Sequence, residues 1–314
     1  SSRAYAANVA PISGTIDDDA MLVINRSDAW TLNSAIGGSG SVTQAGTGTT
    51  ALTGDSSYLG GTTITAGTLQ LGNGGTSGSI SGDVINNATL AFDRADTVIF
   101  DGKISGNGSI TQIGAGMTQL TGDSSNFAGT TTVSNGTLSV DGVLGGVVSA
   151  QAGGTIEGTG TIKGDATIGA GTLAGRQGNV LNFSSNLKLS NASNVNVSLG
   201  APDTSTGMFN VAGNLTLAGT LNISDLGGLG PGLYRLFDYA AGLSDNGLHI
   251  GSIPSGDRAS DFSVQTSITH EVNLVNTGGA SVNFWDGGTA SNHNNGTVDG
   301  GDGIGNTASD NWTA

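Results

Sequence analysis

The residues best suited to covalent chemistry lie in a block that occurs twice, Gly54-Asp-Ser-Ser57 and Gly122-Asp-Ser-Ser125. A serine hydroxyl attacks an acyl group only when a base within hydrogen-bond reach takes its proton. The chain's histidines are His249, His270 and His293, each more than a hundred residues away and none with an accompanying motif. Two copies at one spacing fit a structural role better, since an aspartate in a tight turn accepts backbone N–H bonds wherever the same bend recurs. We expect turns here and no catalytic residue.

The acidic cluster Asp17, Asp18 and Asp19 is the next candidate, because facing carboxylates can cleave a glycosidic bond. Consecutive strand residues point to opposite faces, so at most two of the three converge. Arg26, Arg94, Lys103, Lys163 and Arg176 are too scattered to assist, and a solvated turn is expected. Asp299-Gly-Gly-Asp-Gly-Ile-Gly305 approaches a calcium-binding nonapeptide, but Gly305 stands where that motif supplies an aspartate. Gly37-Gly-Ser-Gly and Gly106-Asn-Gly-Ser precede no helical pattern, and no Gly-Lys-Ser/Thr exists, which excludes a phosphate loop. Lys163-Gly-Asp165 could mimic an integrin-binding tripeptide, but between Ile162 and Ile168 it reads as another bend. With no cysteine, disulfides, thiolate metal sites and thiol catalysis are all absent. The expectation is a non-enzyme with no catalytic, cofactor-binding or metal residue.

What positions these residues is a repeat. Asp28-Ala-Trp-Thr-Leu32, Ile36-Gly-Gly-Ser-Gly-Ser-Val42-Thr-Gln and Leu52-Thr-Gly-Asp-Ser-Ser57 return as Asp96-Thr-Val-Ile-Phe100, Ile104-Ser-Gly-Asn-Gly-Ser-Ile110-Thr-Gln and Leu120-Thr-Gly-Asp-Ser-Ser125. The offset is 96 − 28 = 68, 104 − 36 = 68 and 120 − 52 = 68; it grows by one where Gly67 matches Gly136. A fixed internal period marks a repeat architecture. Within each unit Ile64, Leu69 and Leu71, then Val133, Leu138 and Val140, alternate with polar residues around a glycine, as strand, tight bend and strand do. A unit of this length divides into three coils of roughly 23 residues. About twelve to fourteen coils, stacked in parallel at roughly 4.8 Å, would then make a rod roughly 60 Å long. Ile36, Val42, Leu52, Ile64 and Leu69, with their partners Ile104, Ile110, Leu120, Val133 and Leu138, should point inward and occupy equivalent sites.

Composition agrees. Glycine accounts for 56 of 314 residues against 4 prolines, without a collagen period, which suits a chain that bends every few residues. The balance of 9 basic and 24 acidic residues, net −15, repels phosphate backbones, so no nucleic-acid partner is expected. No apolar run is long enough to span a bilayer, and the first residues lack the apolar core of an export signal.

Along the chain four parts are expected. Residues 1–27 form leading strands from Ile12, Ile16, Leu22, Val23 and Ile24; residues 28–226 are the repeats; residues 227–280 are a cap-like or irregular β segment rich in aromatics, including Tyr234, Phe237 and Tyr239. Phe284-Trp285-Asp-Gly and Trp312 start a further unit across 281–314.

These residues resemble a known family, the passenger domains of Gram-negative autotransporters. Gly60-Gly-Thr-Thr-Ile-Thr-Ala-Gly-Thr-Leu69 and its copy ending at Leu138 resemble the autotransporter-associated β-strand repeat. Gly154-Thr-Ile-Glu-Gly-Thr-Gly-Thr-Ile162, Gly171-Thr-Leu173, Leu215-Thr-Leu-Ala-Gly-Thr-Leu221 and Gly232-Leu-Tyr-Arg-Leu236 are similar to the last coils of such passengers. The resemblance implies an all-β, right-handed parallel β-helix on the bacterial surface, exported through the periplasm and outer membrane and followed in the full chain by a membrane β-barrel, with no membrane insertion by this segment. It implies an adhesin or self-association rod whose partners are the host cell surface, the extracellular matrix or other rods. The alternatives are a stalk for an upstream enzymatic domain and, third, a polysaccharide-cleaving β-helix.

Overall fold

The structure, a computed structural model, describes residues 14–279 and the backbone of three short strands, Arg3–Tyr5, Phe284–Trp285 and Trp312–Thr313. Nearly every element is a short strand, and the strands stack in parallel into a β-solenoid. One coil runs through Ile104–Ser105, Ser109–Gln112 and Met117–Leu120, and the next through Asp123–Ser124, Thr130–Val133 and Gly136–Val140. The sequence dictates this alternation. Two or three apolar or β-branched residues cover one side of a pleat, then a glycine or asparagine turns the corner.

The longest ladder contains Trp30–Leu32, Thr49–Leu52, Thr68–Gly75, Thr89–Arg94, Ser109–Gln112, Thr130–Val133, Val147–Ala150, Ala166–Ile168, Leu187–Leu189, Leu215–Asp225 and Leu243–Ile250, each parallel to the next. Among the described residues these eleven strands span about 48 Å at about 4.8 Å per coil, shorter than the expected rod because parallel stacking in this ladder runs only from Trp30–Leu32 to Leu243–Ile250 and not over the whole chain. Coil length also varies. Partners along the ladder are 20 residues apart at Leu90↔Ile110 but 28 apart at Leu187↔Leu215 and Leu215↔Leu243, where loops lengthen the coil. Beyond them Gly232–Tyr239 pairs antiparallel with Glu271–Asn276, which pairs antiparallel with Phe262–Gln265.

All ten residues expected to face inward do so, with Leu120 the most exposed at 3%. Their sites are equivalent in depth but not in face. Val42 stands in a ladder with Leu22, Thr62, Val84 and Ile104, whereas its copy Ile110 stands in a ladder with Thr50, Leu69, Leu90 and Thr131. The coil is about 20 residues rather than 23, so the 68-residue unit makes three turns and one further face. The second copy is therefore rotated around the rod by one face.

Gly38 and Gly106 show why glycine holds its place at a corner. Both lie at positive φ (+97° and +101°), and a Cβ on either would sit 2.3 Å from the carbonyl oxygen of Asp18 or Asn86 on the coil before.

Candidate functional site

The duplicated serine block is structural in both copies. Ser56 and Ser124 are buried, and their Oγ atoms accept the backbone N–H groups of Ile36 and Ile104. Asp55 accepts from the Gly78 N–H at 2.9 Å, and Asp123 from the Ser125 N–H at 3.0 Å. Because of the rotation the copies lie on different faces, and neither bonds a histidine. His270 Nδ1 instead bonds the Tyr239 carbonyl at 2.9 Å. Asp19 accepts the Ser39 N–H (3.0 Å) and Oγ–H (2.9 Å) of the next coil, and those bonds hold its carboxyl below the usual range. Asp165 of the Lys163-Gly-Asp tripeptide links coils in the same way through Ser185 and Asn186. Ile12, His293 and the Asp299–Gly305 run lie outside the described residues.

One cleft of about 710 Å³ gathers a separate set of polar groups. Its wall is the outward side of five successive strands: Met117–Leu120, Gly136–Val140, Gly154–Glu157, Thr172–Arg176 and Asn194–Leu199. Gln119, Ser139 and Glu157 stand side by side in register. On the next coil Ala174 follows Leu173, the partner of Ile156, and Asn196 comes after it. The small side chain of Ala174, between the longer Glu157 and Asn196, makes the hollow. Arg176, beside Ser198, and Asn179 form its far rim.

Two carboxylates there behave oppositely. Asp141 is partly buried, which would raise its pKa, yet bonds from Gln119 Nε2 (2.7 Å), Thr159 N–H (2.9 Å) and Oγ1 (3.0 Å) and Ser139 Oγ (3.0 Å) hold it below the ordinary value. Glu157 is pushed up, first by burial and then by the charge of Asp141. Among the described residues neither the Glu157 carboxylate nor the Arg176 guanidinium takes a hydrogen bond or an ion pair. No cluster of three metal-ligating residues occurs among the described residues.

Comparison with known proteins supplies the family. The passenger-associated transport repeat matches residues 42–71 and 110–140, the two halves of the duplication. The chain is 42% identical over 275 residues to the adhesin BmaC autotransporter of Brucella suis biovar 1 (strain 1330), a match covering 81% of this chain and 8% of that protein. The chain belongs to the autotransporter passengers. It spans only that small fraction of the curated relative. Among the described residues no helix is long and apolar enough to cross a membrane, which says nothing of a β-barrel.

The 68-residue duplication also contains ionic links, outside the matched repeat segments, that sequence reading overlooked. Arg26 and Arg94 are one period apart, as are Asp28 and Asp96, and each arginine bonds its own aspartate, at 2.6 Å and 2.8 Å. Extending the 68-residue offset two residues upstream of Asp28 would have found both. The cleft had no such signal, because its residues lie beyond the second repeat and converge only through the coil register.

Proposed function

We propose that this passenger segment is a rod displayed on the bacterial cell surface, acting as an adhesin toward host cell surfaces or matrix, or through association between rods. The observation that carries the reading is the 42% identity to a protein named as an autotransporter adhesin. The architecture supports it: a solenoid exposes long polar faces of Thr, Ser and Asn that can both donate and accept hydrogen bonds. The serine block, occupied as coil structure, supports a non-enzymatic role. The four-part division stays part of this proposal. A cap across 227–280 is supported by the antiparallel pairing of Gly232–Tyr239, which withholds a parallel edge from any following coil.

The test compares beads carrying residues 1–314 with beads carrying an unrelated β-solenoid of equal charge. Greater adherence to host cells, or greater clumping, is the expected result. Equal behaviour of the two bead sets would remove the adhesin reading.

A further inference from the structure

We propose that the cleft between Glu157 and Arg176 is a binding site for a neutral, hydroxyl-rich saccharide. The proposal rests on the adhesin reading for its biological setting, but its structural grounds are separate. Five coils place Gln119, Asp141, Glu157, Arg176, Asn179 and Asn196 around one cleft of about 710 Å³, within the range of about 300–1,000 Å³ typical of small-molecule sites. Gln119 and Asp141 are bonded to each other and Asn196 Oδ1 accepts from Asn222, so the main ends left for a ligand are the Glu157 carboxylate, the Arg176 guanidinium, the Asn179 amide and the Asn196 NH2, all planar groups. Such groups match the spacing of adjacent hydroxyls, accepting from one and donating to or accepting from the next.

The unpaired charges narrow the ligand further. Among the described residues no ion pair joins Glu157 and Arg176, although both line the same cleft, so a strong acceptor and a strong donor line it without neutralising each other. A hydroxyl both donates and accepts, and a sugar ring with several hydroxyls satisfies both ends at once. An anionic ligand would gain Arg176 but meet the charges of Asp141 and Glu157. A metal ion finds only two carboxylates, and Asp141 already accepts from Gln119, Ser139 and Thr159. An added peptide strand is excluded by the ladder itself, because these five strands hydrogen-bond to one another in turn and leave no edge inside the cleft.

The experiment probes the 314-residue chain with an array of neutral and acidic oligosaccharides, then titrates the bound ones against wild type and variants. Binding of at least one neutral oligosaccharide is expected. Glu157→Ala and Arg176→Ala should each weaken it about tenfold or more, the loss expected for a hydrogen bond to a charged group. Glu157→Gln should retain part of the affinity, and Lys188→Ala, on another face, should retain all of it. Circular dichroism of each variant separates lost binding from lost fold. Binding to acidic glycans alone, no binding at all, or affinity untouched by the cleft variants would overturn the proposal. Shortening of the bound oligosaccharide during the titration would also overturn it, in favour of a cleaving enzyme. Adherent wild-type beads without glycan binding would sink the cleft and leave the adhesin reading standing; glycan binding by beads that fail to adhere would do the reverse.

Discussion

Ser56 Oγ accepts the backbone N–H of Ile36 from the coil before it at 3.1 Å, and one period later Ser124 does the same for Ile104 at 2.9 Å. Both hydroxyls are buried, so each removes an orphan donor that water cannot reach. Ser124→Ala should cost about 1–3 kcal/mol, the penalty of an unsatisfied buried group, with the loss read by urea denaturation. A fluorophosphonate probe should leave both serines unlabelled, and labelling of either would show that the block is a nucleophile after all.

Gly106 and Gly178 allow strain and crowding to be separated. Both have positive φ, +101° and +88°, but a Cβ on Gly106 meets the Asn86 carbonyl at 2.3 Å while one on Gly178 meets nothing within 4 Å. Gly178→Ala should cost about 1–2 kcal/mol, the conformational term alone. Gly106→Ala must add a backbone clash and should destabilise clearly more. Equal losses would mean that the corner is not close-packed.

The two buried glutamines differ in one bond. Gln44 and Gln112 each donate Nε2–H to the turn that follows, at 2.8 Å to Gly46 and 2.9 Å to Gly114. Thr118 donates to Gln112 Oε1 at 2.7 Å, whereas Gln44 Oε1 has no partner. Thr118→Val should therefore cost about 1–3 kcal/mol by orphaning a second acceptor, and Thr50→Val, one period earlier, should cost less. Denaturation midpoints of the two variants decide the matter.

Stability should depend on pH in two opposed ways. Asp96, held low first by its bond from Arg94, and Asp165, held low first by its bond from Ser185, have folded pKa values below the ordinary 3.8. Their contribution is present above that value and is lost as pH falls through the folded pKa. Glu157 is raised above its ordinary 4.5, so its contribution is present below that value and is lost as pH rises through the folded pKa. Glu157→Gln should accordingly raise the melting temperature slightly at neutral pH and leave it unchanged in acid. A melting temperature that fell at pH 7 would show that Glu157 has a stabilising partner.

The solenoid was legible because its information is local and repeated. Val42, Leu52 and Leu69 name the inward face without reference to any distant residue, and the copy at Ile110, Leu120 and Leu138 confirms the spacing. The rotation of that copy was hidden. Whether 68 residues make three turns or three and a third depends on corner geometry at residues such as Gly38 and Gly106, which no periodicity encodes. The cleft was hidden for a related reason: Glu157 and Asn196 are 39 positions apart and meet only because Ala174 lies on the coil between them. Gly227 to Val275 was marked out by its aromatic residues, among them Tyr234, Phe237 and Tyr239, but the reversal of strand direction there depends on a long-range pairing of Phe237 with Val272.

Adherence should depend steeply on density. The exposed surface offers mainly hydroxyls and amides, as in the Asn186–Asn214 and Ser198–Ser224 contacts between coils, each worth about 1 kcal/mol net in water. A single rod making a few such contacts stays in the weak range, while many rods on one particle gain from effective concentration, by factors of about 10² to 10⁴. The isolated chain should bind host cells or matrix poorly, and beads should pass from non-adherent to adherent over a narrow range of surface coverage. Adherence that rose in simple proportion to coverage from the sparsest beads upward would point instead to one strong site per rod, with the cleft at Glu157 and Arg176 the first place to look for it.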